Sequence, residues 1–429
     1  MTNINDLHIL QEVLPLFDFT HNDFSKEALV SIFKEPLSST EEILYRQEVL
    51  KGFIANLDFL KDYSYSRVDL FEVYTFLGNY SAIETSIRGL KLRLLLSERE
   101  RHQTMGRYIQ VVLLFHKLQL YYLKRIDTKH FPEGYKREIL SINDFLSSFN
   151  LVYYEELIRE QRFKIKHVME LIGIISEKAS RGELTSFWKR YFLFEAYLSI
   201  SKAIAKHEFS FPTFSETALS FEQLYHPLLK EPVKNSFTTS NNVNLLTGPN
   251  MSGKSTFLKA VGLCVYLGHL GLGVPASKAE MPIFDCISIS INLNDDIVSG
   301  YSHFMTEVMN LKKVVMQAVN GKKCFAVFDE LFRGTNIEDA VEISGTTVKG
   351  LLGFKNSFFF ISTHLHQLKE MAEVKTEMVA TYYIDCGLRD QIPEFTYLLQ
   401  RGWSDLRVGR ILFEKEGLNE MLDNRDQWV

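Results

Sequence analysis

Asn242–Thr256 reads NVNLLTGPNMSGKST: a short apolar strand, a glycine-bearing loop, then Lys254, Ser255 and Thr256, where a helix can begin. Gly248, Gly253, Lys254 and Ser255 fit the spacing G-x-x-x-x-G-K-[ST]. The spacing suits a backbone that wraps a polyphosphate with its own N–H groups. Glycines at both ends let the main chain approach closely, and the start of a helix favours negative charge. Lys254 is expected to reach the outer phosphates and Ser255 to offer its hydroxyl to Mg²⁺, with Pro249, Asn250, Met251, Ser252 and Thr256 completing the cradle. A strand, this loop and a helix point to an α/β nucleotide-binding domain.

A second segment, Lys323–Thr335 (KCFAVFDELFRGT), is an apolar strand ending in Asp329 and Glu330. Beside a phosphate loop, Asp329 is placed to hold the hydration shell of Mg²⁺, and Glu330 is the natural general base for an attacking water. A third strand, Ser357–Ile361, runs into Ser362, Thr363 and His364. A histidine there can reach the terminal phosphate or the water. Between them, Asp295–Glu307 (DDIVSGYSHFMTE) is a polar turn leading into a helix. Ser302 at that helix start is suited to a phosphate, and nothing requires the phosphate to sit on its own loop.

Working outward, the chain divides by grammar. Residues 1 to about 215 carry apolar positions at three- and four-residue spacing, as in Leu90–Leu96, Ile109–Leu123 and Phe163–Ile175, with little glycine or proline. Beyond Phe211-Pro212, short apolar runs alternate with helical segments, which predicts a βαβ-type sheet. The expected fold class is therefore mixed: an all-α lever or core domain over 1–220, then an α/β P-loop domain over 221–429. Tyr121, Tyr122, Tyr153 and Tyr154 are expected to pack, and the cations Arg99, Arg101, Arg107, Lys117, Lys124 and Arg125 to form a solvated helix face.

With 429 residues and 46% hydrophobic content, the chain can bury a large core. Its net charge of −5 gives no support to a strongly basic nucleic-acid-binding surface. Four scattered cysteines without a C-x-x-C pair argue against zinc and for buried, reduced thiols. The first ten residues lack a signal-peptide pattern, and no apolar run is long enough for a bilayer. A cytoplasmic protein with no membrane association is expected.

TGPNMSGKST, DDIVSGYSHFMTE, FDELFRGTN and STHLHQL, in this order and spacing, closely resemble the ATPase domain of the MutS mismatch-repair family, of the ABC class. His226-Pro227 is similar to that family's entry into the domain. Pro36–Leu50 and Phe194–Ile204 are weaker echoes of its helical core and lever. The resemblance implies ATP and Mg²⁺ as ligands, Glu330 and His364 as catalytic groups, and Ser255 and Asp329 at the metal. It also implies a homodimer in which Ser302 of one subunit approaches the γ-phosphate held by the other. Phe304, Met305 and Glu307 would shape that loop, and Arg333-Gly334-Thr335 would cross the interface. Tyr301 and His303 replace the usual arginine and threonine, and Phe332 stands where glycine is usual. These departures bear on cross-subunit communication.

At 429 residues the chain is expected to lack room for the family's N-terminal mismatch-reading domain with its Phe-x-Glu wedge and for its connector domain. Mismatch reading is therefore not implied. The leading expectation is a MutS-like Mg²⁺-dependent ATPase acting on DNA or with DNA-repair partners. The alternative is an ATP-driven dimeric interaction module that positions a protein partner without binding DNA. A transporter ATPase is a poor match, because the loop reads DDIVSGYSHF and not an LSGGQ type.

Overall fold

The structure, a computed structural model, describes residues 2–78, 80, 97–291, 303–332, 334–389, 392–404, 406 and 408–423. It divides into two compact units. One comprises Leu14–Glu35 and Leu44–Lys206; the other gathers Met1–Val13, Pro36–Ile43 and His207–Val429.

Among its described residues the first unit consists of helices joined by turns, with no strand. Its longest helix, Glu183–His207, buries Phe187 and Trp188 against Phe115, with Phe187 also on Phe145, and Phe194 against Phe53. Phe115 and Phe187 meet edge to face with centroids 5.5 Å apart. Within this core lies Glu195, whose carboxylate accepts hydrogen bonds from Tyr65, Asn22 and Ser25. Burial raises its pKa, and these donors oppose the rise. Tyr122 and Tyr154 are buried in this unit, whereas Tyr121 and Tyr153 face outward. Arg99, Arg107, Lys124 and Arg125 are exposed, as a solvated face requires. The run Leu90–Leu96 lies outside the described residues.

The second unit is built on a seven-stranded sheet. Its strands are β1 (Thr2–Asn3), β5 (Val243–Thr247), β7 (Cys286–Ser290), β8 (Cys324–Phe328), β9 (Phe358–Ser362), β10 (Val379–Arg389) and β11 (Ile392–Arg401). Their order is β1-β7-β8-β9-β5-β10-β11. Every pair is parallel except the closing β10–β11 hairpin. In β5, β7, β8 and β9 every residue is buried, and β8 (CFAVF) and the first four residues of β9 (FFFI) appear as unbroken apolar runs, whereas β5 and β7 also bury Asn244, Thr247, Ser288 and Ser290. A smaller sheet of β2 (Thr213–Phe214), β6 (Lys278–Met281), β3 (Leu219–Leu224) and β4 (Asn235–Thr239) completes the unit.

Both units are discontinuous in sequence. Thr2 and Asn3 pair in parallel with Ile287 and Ser288, so the first residues extend the sheet and do not join the helical unit. Leu37 N–H likewise donates to the His269 carbonyl at 2.8 Å. Backbone pairing over long sequence separations overrides the helical grammar of these stretches. Cys264, Cys286 and Cys324 are free and buried, and Cys386 is half-buried. Among the described residues, no helix is long and apolar enough to cross a membrane.

His269 ends the helix Lys254–His269 and is buried. Its Nδ1 lies 2.8 Å from the Val265 carbonyl, and its Nε2 accepts the Phe284 N–H at 2.8 Å. One nitrogen must donate and the other accept, so the ring is neutral. Burial pushes its pKa down to about 4 from 6.5. The unfolded chain therefore takes up the proton first, and the stability this ring contributes is complete above pH 6.5 and lost as pH falls towards 4. Replacing His269 with Gln should lower stability at neutral pH and remove up to about 3 kcal/mol of the acid-induced loss in that window. Chemical denaturation of both proteins across pH 4–7 measures the difference, and parallel curves would contradict it.

Candidate nucleotide site

β5 is entirely buried and delivers the chain to Gly248 at the carboxyl edge of the parallel sheet. Gly248 has φ +140°, and a Cβ there would stand 3.0 Å from Ser252 Oγ and 3.3 Å from the Ile384 carbonyl. Gly253 has φ +97° and caps the helix Lys254–His269. Both glycines are thus required by backbone conformation, and the first also by space. Pro249 is buried, while Asn250 and Met251 face outward, Met251 with φ +68°. Ser252 is fully buried, and its hydroxyl has no hydrogen-bond partner among the described residues. Ser255 is exposed and Thr256 half-buried in the first turn of the helix.

Lys254 is buried with its Nζ turned back into the loop, donating to the carbonyls of Gly248 at 2.9 Å and Pro249 at 3.1 Å. Burial pulls its ammonium pKa down, and the Glu330 and Asp329 carboxylates oppose that shift. The lysine therefore lies within the field of both acids. An ammonium satisfied only by carbonyl dipoles can exchange them for phosphate oxygens.

The acids reach this edge because β8, β9 and β5 are adjacent and parallel, with Phe328 opposite Ile361 and Ser362 opposite Leu246. Asp329 N–H donates to the Ser290 carbonyl at 3.0 Å, which extends the ladder one step past β8. Ser362 joins the two acids: its hydroxyl accepts the Glu330 N–H at 2.8 Å and donates to the Asp329 carboxylate. Glu330 has φ +51°, a left-handed turn that separates its side chain from that of its neighbour. His364 lies two residues past the end of β9 and is exposed at the same strand exit. Thr363 N–H donates to the Leu246 carbonyl, tying this exit to β5.

Phe332 has φ +66°, the region that favours glycine. It is held there by burial, by a ring contact with Phe304 at 6.0 Å, and by an N–H bond of 2.6 Å to the Glu307 carboxylate. Tyr301, Ser302 and Arg333 lie outside the described residues, and His303 opens the helix His303–Val319. The structure therefore brings together Gly248–Thr256, Asp329, Glu330 and His364.

Beside Ser252, Gly253 and Thr256 lies a cavity of about 300 Å³. Tyr225, His226, Val233 and Tyr397 form part of its wall, and burial lowers the pKa of His226. A volume of that order, mostly apolar with a few polar groups, suits a flat heterocycle. Sequence reasoning noted His226 only as a domain entry and passed over Tyr225, Tyr397 and the bridging role of Ser362. Only the S-T-H exit of β9 carried a signal for the last.

Residues 244–420 match the family model described as MutS domain V. Those residues belong to the MutS domain V family. It is similar to the DNA mismatch repair protein MutS of Leuconostoc mesenteroides, at 30% identity over 63% of this chain and 33% of that protein. It is 28% identical to that of Aquifex pyrophilus, over 79% of this chain and 38% of that protein. With Bacillus pumilus MutS the identity is 27%, over 78% and 40% respectively. The chain thus spans between a third and two fifths of the length of these MutS relatives.

The crowding at Gly248 is directly testable. Gly248→Ala should cost about 1–3 kcal/mol of stability through its positive φ and the contact with Ser252. Chemical denaturation of the parent and the variant measures the difference, and equal stability would show that the loop does not have this geometry.

Proposed function

We propose that this chain is a MutS-type, Mg²⁺-dependent ATPase that acts in DNA mismatch repair or related DNA metabolism and closes its sites between two copies of itself. The observation that carries the proposal is the convergence of Lys254, Asp329 and Glu330 at one sheet edge, with Ser362 bonded to both acids. The fit to a polyphosphate is supported by the glycine cradle that a Cβ would fill and by the unpartnered, buried Ser252 hydroxyl. The fit to Mg²⁺ rests on donor chemistry, a hydroxyl and a carboxylate, with phosphate oxygens and water to complete an octahedron.

In this reading Lys254 leaves the Gly248 and Pro249 carbonyls and turns to the outer phosphates. The loop N–H groups and the helix start carry the remaining charge. Ser255 and Asp329 hold Mg²⁺, which supplies charge neutralisation at the phosphates when bound. Glu330 orients the attacking water and takes its proton, while Ser362 fixes where that carboxylate starts. His364 faces the same water or the terminal phosphate. The cavity by Tyr225, Val233 and Tyr397 takes the base. Ser302 of a second copy approaches the γ-phosphate and so makes hydrolysis depend on pairing.

Net charge −5 favours a second reading, in which the paired ATPase positions a protein partner and does not itself hold DNA. Turnover measured with and without duplex DNA separates the two, since only the first expects stimulation. In either reading Glu330→Gln should bind ATP with near-normal affinity and lose at least about a hundredfold in turnover. A variant that binds and hydrolyses ATP normally would remove Glu330 from the reaction.

A further inference from the structure

Strand β11 is the outer edge of the main sheet, and its hairpin with β10 is irregular at one place. Ile384 pairs with Leu399 and Cys386 with Phe395, so Thr396, Tyr397 and Leu398 together face the single residue Asp385. This bulge places Tyr397 at φ +59°, where a residue with a side chain is strained. The strain needs support from both sides. On the hairpin side Thr396 Oγ1 donates to the Asp385 carbonyl at 3.1 Å and accepts the Leu398 N–H at 3.3 Å. On the open side a single side chain, Asn235 from β4, provides it. Its Nδ2 donates to the Tyr397 carbonyl at 3.0 Å, and its Oδ1 accepts the Leu399 N–H at 2.7 Å.

That carboxamide acts as one rung of a neighbouring strand, because it presents a donor and an acceptor just as a peptide group does. The result is a fixed backbone at Tyr397, from which its partly exposed ring projects. Tyr397 Cδ1 lies 3.2 Å from where a Cβ on Gly253 would stand, so the ring rests on the phosphate loop while walling the neighbouring cavity. Phe395 backs it with nearly parallel ring planes, 6.2 Å between centroids. Asn235 itself also lines the cavity.

We infer that Asn235 is a positioning residue for the nucleotide base: its carboxamide locks the β11 bulge that presents the Tyr397 ring beside Gly253. This rests on the reading of Gly248–Thr256 as the phosphate loop of an ATP site. Because Asn235 acts on the base wall through Tyr397, its loss weakens the part of binding that comes from the base and spares the part that comes from the phosphates.

The test titrates ATP and inorganic tripolyphosphate, each with Mg²⁺, into the full chain and into its Asn235→Ala, Asn235→Asp and Lys254→Ala variants. Asn235→Ala should weaken ATP about tenfold and leave tripolyphosphate within about twofold, as loss of two hydrogen bonds at the base wall alone requires. Asn235→Asp keeps the acceptor for Leu399 N–H and should fall between. Unchanged ATP affinity in Asn235→Ala, or equal weakening of both ligands, would overturn the assignment. Lys254→Ala should lose both ligands. If it binds them as the parent does, the ATP-site reading itself fails and Asn235's role with it. A normal Lys254→Ala loss beside an unaffected Asn235→Ala overturns the positioning role alone.

Discussion

Three parallel strands, β8, β9 and β5, end on one line, and the acids, the histidine and the glycine loop hang from that line. The register is fixed because every residue of these strands is buried, so a slip would carry polar exits into the core. Long-range pairing thereby brings Gly248, Asp329 and Ser362 together although they lie far apart in sequence. The Ser362 hydroxyl then converts alignment into connection by bonding to both Asp329 and the Glu330 backbone. Lys254 feels the two carboxylates across the same edge.

Much of this was legible beforehand, for a physical reason. Strands buried on both faces are written as unbroken apolar runs, and β8 lies where its run, Cys324–Phe328, places it. The turn at Gly248–Gly253 was legible because its glycines answer to backbone conformation, a local property that spacing records. What sequence missed depends on partners far along the chain. Thr2–Asn3 has no run of its own and is a strand only because Ile287 and Ser288 offer an open edge. Asn235 meets the backbone of Tyr397 and Leu399, over 160 residues away, and no local pattern marks it. The long hairpin Val379–Arg401 alternates too irregularly to announce its bulge.

Phe332 illustrates a residue whose identity and conformation disagree. Its left-handed backbone is the kind that favours glycine, yet the phenyl ring is buried against Phe304, and Glu307 takes its N–H. The ring's burial offsets the backbone strain, and it ties the turn after Glu330 to the helix His303–Val319. Residues around the acids are therefore packed against the helix His303–Val319. On this account a change at the acids is felt at that helix through contact alone.

Hydrogen–deuterium exchange of the full chain, with and without Mg²⁺-ATP, tests most directly whether these strand ends form one site. The account predicts that ATP slows exchange together at 248–256, at 329–332 and at 362–365, the three exits that the register aligns. Protection confined to one of them, or located away from all three, would contradict it.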